Sequence, residues 1–336
     1  SLCKMDQSRG WLKLVSYSGI PLPAERDRVI ISVNPKAGSG SGNSMVARLT
    51  EFLTERKLRV EIVRDLAELR DLAAACANSI RAVVAAGGDG TVALLANRLP
   101  ENIPLAILPA GTENLLSKFL GIRPTASAVG SMIVDGQSTR LDVGCVADRL
   151  FLLMAGCGFD AEVVRRLDET RTGNIGHVSY IKPILASLRH YSYPPLRVYC
   201  DGHDAIEAKW VFVVNVPRYA AGLNFVPQAI SNDGLLDVCT FREGSFFSGL
   251  RYLAGVVTGQ HQKLDSCTIM RTPAVRIESD ASVPYQLDGD PGGELPLSIS
   301  VRREHLWILA PQAWITANCL PGGGSLVRNH LASPNR

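Results

Sequence analysis

Ala85-Ala86-Gly87-Gly88-Asp89-Gly90-Thr91 follows the apolar run Arg81-Ala82-Val83-Val84 and precedes Val92-Ala93-Leu94-Leu95-Ala96-Asn97-Arg98-Leu99. The first run reads as a short buried strand and the last as a helix. A strand that ends in three glycines and one carboxylate before a helix has the outline of a phosphate site. Glycines let backbone N–H groups approach an anion closely, and a helix N-terminus adds partial positive charge. Gly87, Gly88, Gly90 and Thr91 are therefore candidate phosphate-binding residues. Asp89 is the discordant member, because a carboxylate repels phosphate unless a cation or a proton transfer intervenes. The competing reading is a plain strand-to-helix turn with Asp89 as the N-cap.

Outward from this turn the chain alternates. Val29 to Val33, Leu58 to Val63, Ala82 to Ala86 and Leu105 to Leu108 read as strands. Between them Met45, Val46, Leu49, Phe52 and Leu53 share one helical face, as do Leu66, Leu69, Ala73 and Cys76. A further helix runs through Leu115, Leu116, Phe119 and Leu120. Repeated βα units predict a parallel, helix-flanked sheet, and ligands of such sheets bind at the carboxyl ends of the strands. Three loops fall there: 34–42, 87–91 and 109–114. The first is rich in Gly and Ser but places Asn43 where a Walker lysine would stand, so it is not a P-loop. Lys36 and the loop hydroxyls are its phosphate-binding candidates, against a flexible loop with no ligand. In the third loop Gly111 permits a tight turn. Thr112 there either caps the following helix or meets a phosphate.

Beyond about Arg140 the period shortens to two. Val275 and Ile277 alternate with Arg276 and Glu278, and Leu297, Ile299 and Val301 with polar residues. These are half-buried antiparallel strands. Others are predicted at 139–146, 149–155, 195–201, 209–216, 235–242, 267–271, 283–288 and 305–309, with helices at 160–169, 177–190 and 245–258. The predicted organisation is an extension (1–27), an α/β domain (28–138), a β-rich domain of sandwich type (139–315) and a tail (316–336).

Composition narrows the partners. The 336 residues carry a formal charge of only +3, so no basic field points to nucleic acid. Eight scattered cysteines without a Cys-x-x-Cys pair suit a reduced, cytoplasmic protein. No apolar run approaches membrane-spanning length, and the polar stretch Ser1 to Gly10 predicts no signal peptide. The six histidines show no metal-ligand spacing.

Two later turns concentrate carboxylates. Asn232-Asp233-Gly234-Leu235-Leu236-Asp237 contains a turn dipeptide, and Asp233 with nearby carbonyls also suits a hard cation. Tyr285-Gln286-Leu287-Asp288-Gly289-Asp290-Pro291-Gly292-Gly293-Glu294 carries a hairpin signal, with three carboxylates in seven residues.

Taken in order, these strings resemble the diacylglycerol kinase catalytic-domain family, bacterial lipid kinases related to sphingosine and ceramide kinases. The resemblance spans roughly Arg28 to Ala310. It rests on Asn34-Pro35 with its Gly-rich loop, Gly87-Gly88-Asp89-Gly90-Thr91, and Leu108-Pro109-Ala110-Gly111-Thr112-Glu113-Asn114. In the second half it rests on Gly158-Phe159-Asp160-Ala161, Val178-Ser179-Tyr180-Ile181, the run Pro227 to Leu236, and Leu287-Asp288-Gly289-Asp290. It implies ATP in a cleft between an α/β domain and a β-sandwich, an NAD kinase/diacylglycerol kinase-like arrangement. ATP would be touched by Asn34, Lys36, the Gly87 to Thr91 turn, Gly111, Thr112 and Asn114. Asp288 matches the proposed general base and would accept the proton of a lipid hydroxyl attacking the γ-phosphoryl group. Ile230 and Leu235, through carbonyls, and Asp233 match a structural magnesium site. Catalytic Mg²⁺ would arrive with the nucleotide and offset repulsion between Asp89 and phosphate, with Asp89 as the second catalytic residue, an organiser of Mg²⁺ and water. The lipid substrate would be met at a membrane surface, by peripheral association, and a homodimer is compatible with the sequence.

The chain departs from its relatives where Ala93 and Leu94 replace Asn-Glu, Leu115 replaces Asp, and Asp290 replaces Glu. These departures keep in view a catalytically weakened or inactive nucleotide- or lipid-binding homologue; Gly87-Gly88-Asp89-Gly90-Thr91 alone would also admit an NAD or small-metabolite kinase.

Overall fold

A computed structural model of the protein describes residues 19–33, 40–169, 188–201, 204–218 and 223–318. Its first half contains strands β1 (Ile20–Pro21), β2 (Arg28–Val33), β3 (Arg59–Val63), β4 (Ile80–Gly87) and β5 (Leu105–Pro109). Helices α1 (Gly40–Glu55), α2 (Leu66–Cys76), α3 (Asp89–Ala96), α4 (Leu115–Phe119) and α5 (Ala126–Asp135) accompany them. Strands β3, β2, β4 and β5 lie side by side in that order, all parallel. Every residue of β4 is buried, as expected of a central strand covered by helices on both faces.

Three local expectations are corrected. Helix α3 starts at Asp89 rather than Val92, and Gly88 is its N-cap. The paired glycines let the chain leave the strand and enter the helix within one residue, so Asp89 falls in the first turn rather than at the cap. Helix α5 is an addition to the expected elements, although Thr125 caps it by accepting the Ala128 N–H and Gly136 ends it at φ 64°. Residues 19–27 are not a core-free extension. Ile20 and Pro21 pair with Ser138 and Gln137, and Leu22 is buried. Arg81, buried in β4, explains the attachment. Its guanidinium donates to the carbonyls of Pro23, Arg26, Ile133 and Val134, and a buried charge requires such acceptors.

The second half adds β6 (Gln137–Val146), β7 (Arg149–Phe151), β8 (Met154–Gly158), β9 (Leu196–Cys200), β10 (Ile206–Ala208) and β11 (Trp210–Val214). It continues with β12 (Leu236–Phe241), β13 (Cys267–Thr272), β14 (Ala274–Glu278), β15 (Pro284–Leu287), β16 (Asp290–Glu294) and β17 (Leu297–Leu309). Helices α6 (Phe159–Glu169), α7 (Phe246–Val257) and α8 (Gln312–Asn318) complete it. Most of the helix expected at 177–190 lies outside the described residues.

Two sheets form the sandwich. Strands β13-β12-β11-β8-β15-β16 make one sheet, and β10-β9-β14-β17 belong to the other. Val198, Ile277 and Ile299 from the second sheet meet Val211, Val238 and Leu287 from the first in a shared apolar core. The opposite face of the six-stranded sheet carries Trp210, Phe212 and Phe241, packed with Val163 of α6 and Tyr252 of α7.

Strand β17 unites the halves. The two runs expected at 297–301 and 305–309 form one strand, with a register irregularity against β6 between Arg302 and Leu306. Its end runs parallel to β5, Ile308 opposite Leu105. The parallel sheet and one sandwich sheet are thus a single eleven-stranded sheet. Residue 138 falls inside β6, so the chain passes between the halves as continuous strand.

Candidate active site

The carboxyl ends of β4 and β5 lie together, Gly87 opposite Pro109, and the Ala110 N–H donates to the Gly87 carbonyl at 3.0 Å. The two turns that follow touch through backbone. A Cβ placed on Gly111 would lie 2.4 Å from Gly88 Cα, and one on Gly87 would lie 2.2 Å from Thr91 Oγ1. Glycine at these positions is a packing requirement. At Gly90 a Cβ would meet nothing within 4 Å, and this exposed glycine faces open space beside the helix start.

Asn114 and Asp89 divide the capping of α4. Asn114 has left-handed backbone (φ 52°, ψ 49°), and its side chain turns back to Gly111. There Oδ1 accepts the Gly111 N–H at 3.0 Å and Nδ2 donates to the Gly111 carbonyl at 2.6 Å. The helix N-terminus is capped from the other turn: Asp89 Oδ2 accepts the Leu115 N–H at 2.8 Å and Oδ1 the Leu116 N–H at 3.0 Å. Asp89 therefore ties the β4 and β5 turns together. Thr112 does not cap α4, since Asn114 holds the N-cap position and Thr112 is exposed at the turn. Asn34 and Lys36 lie outside the described residues. Leu115 is buried in the core, and Ala93 and Leu94 are half-buried on α3.

Asp288 comes to this place from the sandwich. It sits at the turn between β15 and β16, with φ 53°, a conformation a non-glycine residue adopts only where its surroundings hold it. The segment Leu152–Met154 holds it. Asp288 Oδ2 accepts the Leu152 N–H at 2.7 Å, and Oδ1 accepts those of Leu153 and Met154 at 2.8 and 3.1 Å. Its own N–H donates to the Met154 carbonyl at 2.9 Å. Burial pushes the Asp288 carboxyl up to about 6; the three N–H donors pull it down, and the negative charge of Asp89 adds to the rise. Two carboxylates from opposite halves of the chain thus feel one another.

Several groups that hold this arrangement escape a reading of the sequence. Asn97, at the end of α3, accepts the Leu150 N–H at 2.8 Å and donates to the Leu150 carbonyl at 3.0 Å. It fastens the α/β half to the strand leading into Leu152–Met154. Asn215 supports the same segment by donating to the Leu152 carbonyl at 2.7 Å. Behind the Asp288 turn, buried Gln286 accepts the Gly289 N–H at 2.7 Å and donates to Asp160 at 2.9 Å. The Gly158-Phe159-Asp160 string could have signalled this last link, but backbone donors carry no residue signature. Asp290 is exposed, and its carboxylate lies 3.9 Å from Arg149.

The Asp233 turn is elsewhere in the sandwich. Its buried carboxylate accepts the Leu235 N–H at 3.0 Å on Oδ1, and the Arg271 guanidinium donates to Oδ2. Ile230 and Leu235 are half-buried beside it. Among the described residues no group of three or more His, Cys, Asp or Glu side chains is placed to hold a metal.

Comparison with known proteins accords with this architecture. Residues 28–146 match the diacylglycerol kinase catalytic domain, and residues 154–310 match the YegS C-terminal NAD kinase beta sandwich-like domain. The diacylglycerol kinase of Mycobacterium tuberculosis (strain ATCC 25618 / H37Rv) is 32% identical over 301 residues, covering 86% of this chain and 96% of the relative. That of Staphylococcus aureus (strain Newman) is 27% identical over 237 residues, 68% of this chain and 74% of the relative. A solved diacylglycerol kinase of Bacillus anthracis str. Sterne superposes with a TM-score of 0.63 at 20% identity, covering 85% of this chain and 98% of that one, a likeness of fold. With two adjoining domain matches and a relative aligned almost end to end, the chain belongs to the diacylglycerol kinase family.

Proposed function

We propose that the protein transfers the γ-phosphoryl group of ATP to the hydroxyl of a lipid, diacylglycerol-like or sphingoid, with Asp288 as general base. One observation carries this reading: Asp288 is held on three backbone N–H groups within electrostatic reach of Asp89 and its glycine turn. A carboxyl near 6 is mostly ionised at neutral pH, yet basic enough to take a proton as an alcohol becomes a nucleophile. Bound Mg-ATP supplies the phosphoryl group and a divalent charge that offsets its anionic oxygens. Gly90, exposed and with open space where a side chain would stand, leaves the start of α3 accessible to the phosphates. Thr112, exposed at its turn, adds a hydroxyl. Asn34 and Lys36, which follow β2 in the sequence, are the further candidates for phosphate contact. Asp89 holds both turns and presents a carboxylate for a nucleotide-borne cation.

A lipid acceptor requires the protein to meet a membrane surface. No described helix is long and apolar enough to cross one. The outer face of α7 supports peripheral contact: Phe246, Phe247, Leu250 and Val257 are exposed there, Phe247 by 80% and Val257 by 71%. Exposed Arg251, on the same helix and paired with Glu243, adds a guanidinium that suits anionic headgroups.

The test is transfer from radiolabelled ATP to diacylglycerol, monoacylglycerol, phosphatidylglycerol, sphingosine and ceramide, alongside NAD and sugars. The proposal expects a labelled lipid and its loss in Asp288→Asn. Label on NAD or a sugar alone defeats the lipid reading. Binding of Mg-ATP without any transfer identifies a homologue that has lost catalysis, and an undiminished Asp288→Asn variant removes the base assignment.

A further inference from the structure

The resemblance places a magnesium ion on Ile230, Asp233 and Leu235. The structure puts a different cation there. The Asp233 and Asp237 side chains are each only 2% exposed. Arg271, directly opposite Asp237 in the β12–β13 register, reaches both. Its guanidinium donates to Asp233 Oδ2, and its Nε lies 3.3 Å from Asp237 Oδ1. The remaining Asp233 oxygen is occupied by the Leu235 N–H at 3.0 Å. The neighbouring buried carboxylate, Asp142, is committed as well, accepting the Gly234 and Glu304 N–H groups at 2.6 and 2.7 Å.

The buried Asp233 carboxylate demands a countercharge, and a metal would supply it elsewhere; burial alone pushes the neighbouring Asp237 carboxyl up to about 7. Here one guanidinium supplies it from the adjacent strand, in a donor arrangement that matches carboxylates. A divalent ion approaching Asp233 would meet a fixed positive charge on the oxygen it needs. The donor set as it stands does not fit Mg²⁺. We propose that Arg271 is the resident cation of the Asp233 turn, and that the sandwich domain of this protein needs no divalent metal at that position.

The test uses the full chain without nucleotide or lipid, so its outcome is separate from the fate of the kinase reading. Thermal unfolding is followed in EDTA and in millimolar MgCl₂, and Mg²⁺ binding is titrated by calorimetry. Wild type is expected to unfold within about 1 °C in the two media and to show no saturable binding. Arg271→Met keeps an apolar stem and removes the charge. It is expected to unfold earlier in EDTA and to regain about 4 °C or more on adding Mg²⁺, because a ligand of the folded state alone stabilises it. Arg271→Lys is expected to stay indifferent to Mg²⁺. Saturable binding of about one Mg²⁺ by wild type with a matching rise in unfolding temperature overturns the proposal. So does a folded Arg271→Met that remains indifferent to Mg²⁺. If Arg271→Met does not fold, the two wild-type measurements decide.

Discussion

Asp89 and Asp288 are the same residue type in similar roles, each accepting backbone N–H groups from a neighbouring segment, and the structure uses them differently. Asp89 spends one hydrogen bond per oxygen on the start of α4, and so fixes two strand-end turns of the parallel sheet. Asp288 takes three N–H groups on a left-handed turn of the sandwich, yet burial raises its proton affinity toward 6. Asp89 joins two turns; Asp288, buried at a left-handed turn, has the raised proton affinity that suits a base.

The largest test of this contrast is Asp288→Asn. Turnover is expected to fall by about 10²–10⁴-fold, with ATP affinity close to wild type by calorimetry. If affinity collapses instead, Asp288 serves binding rather than proton transfer.

The pH profile follows from the sign of the shift. A base must be deprotonated, and Asp288 is raised to about 6, so kcat/KM is expected to fall as pH drops through that value. The expected slope is about tenfold per pH unit below it. A profile flat down to pH 4 or so, the ordinary carboxylate range, would remove Asp288 as the titrating group.

The glycine turns sharpen the architectural side. Gly111→Ala sets a methyl group 2.4 Å from Gly88 Cα. It is expected to cost about 1–3 kcal/mol in denaturant unfolding and to weaken ATP binding. Gly90→Ala meets nothing within 4 Å. Its stability should stay within about 0.5 kcal/mol of wild type, while ATP binding weakens if, as proposed, the phosphates lie in the open space beside Gly90. Equal effects at the two positions would overturn the distinction between a packing glycine and a ligand-facing one.

Asp89→Ala gives the most direct link between the two carboxylates. Loss of the α4 cap is expected to cost about 1 kcal/mol. Removing the like charge should move any residual acid limb below its wild-type position, because the Asp89 charge raises Asp288. An acid limb that stays in place would separate the two sites electrostatically.

Much of this is legible in the sequence. Alternating apolar runs mark the parallel sheet because a strand covered on both faces has little choice but apolar side chains, and β4 is the example. Period-two alternation marks β14 and the start of β17 for the complementary reason. Glycines at 87, 88 and 111 mark close backbone approach, and in the folded chain Gly88 lies against Gly111. The order of the strings from Gly87 to Asp290 is enough to indicate the family.

Other features need the folded chain. No pattern announces that Asp89 caps α4, that Leu152–Met154 offers three N–H groups to Asp288, or that Asn97 clasps Leu150. These are contacts between distant segments, made largely through backbone groups that every residue possesses. Arg271 is the sharpest case. The family resemblance implies a metal on Asp233 and the carbonyls of Ile230 and Leu235. Only the β12–β13 register brings a guanidinium opposite Asp237 and onto Asp233. Side-chain periodicity encodes which face a residue presents to the core. Which charge it meets there is set by strand pairing across the sequence, and that is decided in three dimensions.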